Sequence, residues 1–148
     1  MTRKIYIAGI TATGKTTTAQ KLSEFLKIPF VSLDDAYIKI GNEINCKPED
    51  ARHLIWPQTL QLYKQWKELL IKAYKEVLSS IKDKDAIIEG FSLGNVYKRN
   101  IIDEILGPHK KTFFVLQPPI DRWMRNYRAR GVKATDEELR AVYDKWEA

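Results

Sequence analysis

Short apolar runs alternate along the chain with longer stretches whose apolar residues recur three and four apart. The short runs are Lys4–Ile10, Pro29–Leu33, Ala86–Glu89 and Thr112–Leu116, and each predicts a β-strand. After the first run, Thr17–Leu26 carries helical spacing. Between the second and third, Leu62, Trp66, Leu69, Leu70, Ala73, Val77 and Ile81 form the stripe of an amphipathic helix over about Gln58–Ile81. That stripe reads as core packing rather than as aromatics offered to a base. Gly41–Pro57 reads as a polar loop, with Trp56-Pro57 opening the helix. Past the fourth run, Asp121–Gly131 predicts a helix capped by Gly131. Thr135–Glu138 predicts a capping box for a last helix. The order βαβαβαβ predicts an α/β fold in three layers, a parallel sheet of about four strands with helices on both faces. With no repeat and no linker, residues 1–148 read as one domain. Right-handed crossovers bring the segments after each strand to one edge, where ligands bind in such sheets. Those segments are the one after Ile10, Asp34-Asp35, Glu89-Gly90-Phe91 and Gln117-Pro118-Pro119.

The first of these segments carries a phosphate-binding motif. Gly9–Thr16, GITATGKT, is a complete G-x-x-x-x-G-K-[ST] sequence set between a strand and a helix. Glycine at positions 9 and 14 allows backbone angles closed to other residues. The N–H groups over Gly9, Thr11, Ala12, Thr13, Gly14 and Thr17 form a nest for anions, and the helix that follows adds positive potential at its N-terminus. Lys15 is expected to reach the β- and γ-phosphates of ATP, and the Thr16 hydroxyl to bind Mg²⁺. Without ligand, the Lys15 side chain is expected to face solvent. The plain alternative is a glycine turn before a helix, and the flanking strand and helix argue against it.

Composition narrows the setting. Apolar residues make up 44% and charged residues 30%, the balance of a globular protein. No apolar run approaches the roughly 20 residues of a membrane helix. A lone Cys46 and no visible export signal point to the cytoplasm. The net charge of +6 exceeds what ATP alone requires and suits a polyanionic partner, or simply a solvated basic surface.

The motif by itself does not separate kinases from other phosphate-loop proteins. No Asn-Lys-x-Asp guanine-reading motif occurs, and the chain is short for a helicase core. Asp34 follows the second strand, where a carboxylate can orient an acceptor hydroxyl and take its proton, with Asp35 supporting it. One of this pair is expected to serve as the helix N-cap. Four arginines, Arg122, Arg125, Arg128 and Arg130, fall within nine residues. They read as a lid over about 121–134 that can neutralise a transferring phosphoryl group, with Arg122 and Arg125 grouped by helical spacing. At least two of the four are expected to lie on a solvated face. Glu89 can orient Mg²⁺ through water or meet the acceptor, and capping or ion pairing is the plainer use. Lys39 and Gly90 stand beside the acceptor segments. Lys39, Arg52, Lys98 and Arg99 are the candidate contacts for a polymeric acceptor's phosphates.

The chain resembles phosphate-loop kinases of the polynucleotide 5′-kinase type, best known from phage enzymes. The resemblance rests on Gly9–Thr16, on Leu33-Asp34-Asp35, and on Arg125 to Tyr143, where Arg130-Gly131, Lys133-Ala134 and Leu139-Arg140 match the end of that kinase domain. It implies Asp34 as catalytic base, Arg130 as an essential lid arginine and a 5′-hydroxyl acceptor on a nucleic acid or nucleotide. Two departures leave the acceptor open. Tyr37 stands where that family has an arginine, and Ile88-Glu89-Gly90-Phe91 is closer to the nucleoside monophosphate kinase signature Asp-Gly-Phe/Tyr. Nucleosides, nucleoside monophosphates, other small molecules and modified bases are the alternative acceptors. A non-catalytic ATP-binding regulatory module is the alternative of another class. It needs Lys15 and Thr16 but not Asp34 or Arg130.

Overall fold

The computed structural model describes residues 1–10, 13–43 and 60–147. Four strands, β1 (Thr2–Gly9), β2 (Phe30–Ser32), β3 (Ala86–Glu89) and β4 (His109–Leu116), form one sheet in the order β2-β3-β1-β4. Every pairing is parallel. Among the described residues the helices are α1 (Lys15–Leu26), α2 (Asp34–Glu43), α3 (Leu60–Leu78), α4 (Val96–Leu106), α5 (Ile120–Ala129) and α6 (Asp136–Glu147). The α/β fold expected from the pattern is the one observed. Gly41–Glu43, expected in a loop, continue α2, while the expected Trp56-Pro57 helix start lies outside the described residues.

Alternation along β1 builds the layers, because successive side chains leave a strand on opposite faces. Tyr6 and Ala8 join Ala86 and Ile88 in a core closed by Leu33, Ala36 and Ile40 around α2, Leu70, Ala73, Tyr74, Val77 and Leu78 of α3, and Ile102 and Leu106 of α4. Ile5, Ile7 and Ile87 face the other way, onto Ala19 of α1. The α3 stripe is buried at Leu70, Ala73 and Val77 as its spacing predicts. Beyond α3 a 3₁₀ turn, Ser79–Ile81, ends the helical stretch.

That turn is held by an unexpected residue. Lys4, inside β1, is fully buried. Its ammonium donates to Thr2 Oγ1 at 3.0 Å, to the carbonyls of Ile81 at 2.8 Å and Lys82 at 3.1 Å, and to the carbonyl of Lys84. A cation thus gathers carbonyls of the turn that follows the helix, the Ile81 carbonyl also accepting from the Lys84 N–H at 3.2 Å. Burial lowers the Lys4 pKa from its ordinary value, and Asp85 and Asp83 oppose that shift.

β4 begins three residues earlier than its apolar run, where His109 to Lys111 pair with Thr2 to Lys4. As an edge strand it leaves Phe113, Phe114 and Val115 exposed. Phe113 meets Tyr6 edge-on at 6.3 Å and lies under the Arg99 guanidinium at 5.1 Å. The Tyr6 hydroxyl donates to Asp103 Oδ1 at 2.6 Å; burial, then that bond, hold its pKa far above the usual phenol range. A third core joins Ile10 after β1 to Trp123 and Met124 of α5 and Leu139 of α6. α5 and α6 are therefore anchored against the end of β1, beside the sheet's carboxyl edge.

Candidate active site

Strand register gathers the site. Ser32 pairs with Glu89 and Glu89 with Ile7, so β2 and β3 end level, while β1 and β4 run two residues further to the Gly9–Leu116 pair, all at the same edge of the sheet. From β1 the chain turns into α1 through Gly14, whose φ of 84° is left-handed and suits glycine. Gly9 is needed for room rather than for its angles. A Cβ there would lie 2.7 Å from Thr13 Oγ1 and 2.9 Å from the Leu116 carbonyl oxygen. Thr13 Oγ1 donates to the Ile10 carbonyl at 2.9 Å. Thr11 and Ala12 lie outside the described residues.

Lys15 departs from expectation. Its side chain is buried, and Nζ donates to the Ile10 carbonyl at 2.8 Å. The side chain therefore turns back toward the end of β1, where the Ile10 carbonyl satisfies its charge. Thr16 and Thr17 are exposed. The Thr16 hydroxyl donates to Glu89 Oε1 at 3.1 Å, joining α1 to the end of β3 across 73 residues. Glu89 is fully buried, and its Oε2 has no hydrogen-bond partner among the described residues. An acidic oxygen with no donor, next to a hydroxyl at the mouth of a phosphate loop, has the chemistry of a hard-cation ligand.

Next to the loop opens a cleft of about 390 Å³ lined by Thr13, Gly14, Leu116, Gln117, Pro118, Arg122 and Asn126. Of the four arginines, Arg122 lines this cleft. Arg125, expected beside it, is exposed and outside it. The reason is helical geometry. The residue four after Arg122 stays about 40° from it, whereas the residue three after lies about 60° to the other side. Asn126 therefore shares the cleft. The adjoining face, Trp123 and Tyr127, stacks inward at 5.1 Å.

No protein-family model matches the chain, and no curated protein matches it. Solved structures do. A gluconokinase from Sinorhizobium meliloti is 18% identical with a TM-score of 0.60, covering 97% of this chain and 73% of the other. A sugar kinase from Janibacter is 18% identical with a TM-score of 0.59, over 100% of this chain and 79% of the other. The shikimate kinase of Aquifex aeolicus is 16% identical with a TM-score of 0.56, over 97% and 78%. The fold is that of the P-loop kinases.

Within this fold the other expected site residues find distinct places. Asp34 and Asp35 open α2, with Asp34 half-buried and Asp35 exposed. Both stand in the first turn of the helix, and the Asp34 N–H donates to Ser32 Oγ at 3.4 Å. Lys39 pairs with Glu76 at 3.6 Å on the surface. Gly90 donates its N–H to the Ile7 carbonyl at 3.1 Å and packs on Leu33. Lys98, expected to meet polymer phosphates, is buried. Arg99 is engaged inside the molecule, donating to the Leu93 carbonyl at 3.1 Å. Arg52 lies outside the described residues.

The end of the chain is organised around the cleft. Gly131, at φ 85°, follows Arg130 at the end of α5. Arg130 is exposed. Arg128 has a structural use, donating to the Ala134 carbonyl at 3.1 Å and to Asp136 Oδ1. Thr135 Oγ1 accepts from the Glu138 N–H at 3.2 Å and donates to Glu138 Oε1 at 3.1 Å, so the capping pair closes through the hydroxyl. The Tyr143 hydroxyl donates to the Pro118 carbonyl at 2.7 Å, tying α6 to the cleft wall. Asn126 and this tyrosine contact are additions to the sequence reading. The spacing of Asn126 from Arg122 was the one local signal for either.

Proposed function

We propose that the protein is a P-loop kinase that transfers the γ-phosphate of ATP to a hydroxyl of a small acceptor. The observation that carries this reading is the buried Glu89 carboxylate bonded to Thr16 at 3.1 Å. Its burial costs stability unless something positive completes it. Among the described residues no group of three His, Cys, Asp or Glu side chains gathers for a metal. Thr16 and Glu89 would therefore hold Mg²⁺ together with phosphate oxygens, Glu89 directly or through water. When bound, the ion supplies charge neutralisation for the transferring phosphoryl group.

The chain's own groups divide the remaining work. The loop N–H groups and the N-terminus of α1 bind the phosphates, and Lys15 leaves the Ile10 carbonyl to meet the β- and γ-oxygens. Arg122, with Asn126 and Gln117, lines the cleft for the rest of the nucleotide. Asp34 orients the acceptor hydroxyl and accepts its proton as the oxygen attacks the γ-phosphorus and ADP departs. Arg125 on α5 and Arg130 just past its end supply charge, with this segment acting as a lid.

A small acceptor is favoured because the fold neighbours are named for gluconate, sugar and shikimate, and because Lys98 is buried and Arg99 is bonded to the Leu93 carbonyl. A polynucleotide 5′-hydroxyl is the second reading, supported by the net charge of +6 and the run from Arg125 to Tyr143. No helix among the described residues is long and apolar enough to cross a membrane. We place the activity in the cytoplasm, within one domain. The test is transfer of labelled γ-phosphate to a panel of sugar acids, sugars, shikimate, nucleosides, nucleoside monophosphates and 5′-hydroxyl oligonucleotides. Label on a small polyol or acid supports the reading. Label on oligonucleotides alone, with steep loss of affinity in salt, installs the second. No transfer to any acceptor, with ATP still bound, turns the reading toward a regulatory module.

A further inference from the structure

Gly90 was expected to touch substrate, yet its closest contact is the core. A Cβ built on it would stand 2.9 Å from Leu33 Cβ and 3.4 Å from both Leu33 Cγ and Cδ1. Leu33 is fully buried among Ala36, Ile40 and Leu93, so it has nowhere to retreat. The same two residues sit in a tight backbone junction. The Leu33 N–H donates to the Glu89 carbonyl at 2.9 Å, and the Gly90 N–H donates to the Ile7 carbonyl at 3.1 Å. Leu33 is followed at once by Asp34, and Gly90 is preceded at once by Glu89.

We propose that Gly90 is a positioning residue: its missing side chain lets the ends of β2 and β3 close together, and this sets where Asp34 stands relative to Glu89. The proposal rests on the reading of Asp34 as base and Glu89 as the magnesium-side carboxylate. Any side chain at position 90 pushes Leu33, and with it the first residue of α2. Leu33 leads directly into Asp34, whereas the phosphate loop is joined to this junction only through the Gly90 N–H to Ile7 and the Thr16–Glu89 bond. Acceptor activation is therefore expected to suffer before nucleotide binding does. Displacement of a reacting group by about 1 Å costs on the order of 10²-fold in rate.

The experiment measures Gly90→Ala, Asp34→Asn and the double variant side by side. Mg·ATP affinity is measured by calorimetry. Turnover is followed with gluconate, shikimate and a 5′-hydroxyl oligonucleotide as probes, using the one that takes label. Gly90→Ala is expected to lower kcat about 10²-fold with Mg·ATP affinity unchanged. The double variant is expected to be no slower than Asp34→Asn alone, because both act through one group. Leu33→Ile conserves volume but branches at the same Cβ, so it is expected to show a smaller loss of the same pattern. It serves if Gly90→Ala does not fold. Unchanged kcat in folded Gly90→Ala or Leu33→Ile, beside a collapsed Asp34→Asn, overturns the positioning role and leaves the proposed function standing. Parallel loss of Mg·ATP affinity overturns it also, since the effect is then general. Normal turnover by Asp34→Asn removes the base, and the positioning role with it.

Discussion

Glu89→Gln separates function from folding in one substitution. The carboxylate is fully buried, accepts one hydrogen bond from Thr16 at 3.1 Å, and leaves Oε2 without a donor among the described residues. A buried acceptor left unsatisfied costs about 1–3 kcal/mol, and more when charged. Gln keeps the shape and the acceptor for Thr16 while removing the charge. Its own amide then needs a partner, which returns part of the gain. The expected net effect without ligand is a stabilisation of about 1–2 kcal/mol. For a chain this long each kcal/mol moves Tm by about 2–4 °C, so the variant is expected to melt a few degrees higher. With Mg·ATP the order changes. A ligand at 100 times its Kd adds about 2.7 kcal/mol to the protein that binds it. The wild type takes that increment, and the variant loses most of it. The Mg²⁺ concentration giving half-maximal transfer should rise at least about tenfold, the loss of one charged ligand contact. The assay is thermal denaturation with and without Mg·ATP, paired with a Mg²⁺ titration of the rate. A variant that melts lower without ligand and keeps the full Mg·ATP increment would show that Glu89 is a structural acid and refute the argument. An unchanged Mg²⁺ dependence with a raised acceptor KM would move Glu89 to the acceptor side.

Asp34→Asn should lower kcat by about 10²–10⁴-fold, with ATP binding by calorimetry preserved; if Asp35→Asn alone did this, the two roles exchange. Lys4→Met should destabilise the chain to urea, since it removes the ammonium that the Lys82 and Lys84 carbonyls accept from and one of the two donors to the Ile81 carbonyl. Because burial lowers the folded-state pKa of Lys4, the unfolded chain binds this proton more tightly. Wild-type stability from this site therefore rises as pH climbs through the folded value toward the ordinary 10.5. The gap to Lys4→Met should widen over that range, and a narrowing gap contradicts the reading. Arg128→Met tests the other sign. The hydrogen bond from Arg128 holds the Asp136 carboxyl below its ordinary 3.8. The resulting stabilisation is complete above that value and lost as pH falls through the folded one. Denaturation curves of the two proteins should therefore converge in acid, and a gap that persists there sinks the claim.

What could be read directly was what neighbouring residues decide among themselves. The phosphate-loop motif is eight consecutive residues, and the left-handed angle at Gly14 follows from that local order. The four strands and the buried part of the α3 stripe were legible because period two and period 3.6 are local properties of a chain. The Gly131 cap and the Thr135–Glu138 pair were legible for the same reason. The α/β fold follows once those elements alternate, since a parallel sheet needs crossovers and the crossovers are the helices.

The rest depended on contacts between residues far apart in the chain. Lys15 turning onto Ile10, the pairing of Thr16 with Glu89 across 73 residues and the Lys4 ammonium closing a turn 77 residues away are all answers to burial. A charged group in a closing core must find a partner, and only the packed fold says which one. Lys98 and Arg99 looked like free cations by composition, but α4 turns one into the protein and lays the other over Phe113. Asn126 rather than Arg125 joins Arg122 in the cleft because Trp123 and Tyr127 claim the inward face of α5. Gly90 carries the same lesson. Its lack of a side chain is written in the sequence, but only the approach of Leu33 to 2.9 Å gives that absence a use. The sequence by itself thus determined the elements and the phosphate loop, whose physics is short-range. Tertiary structure decided which charged groups face the site and which are spent inside, because desolvation acts on the whole packed chain at once.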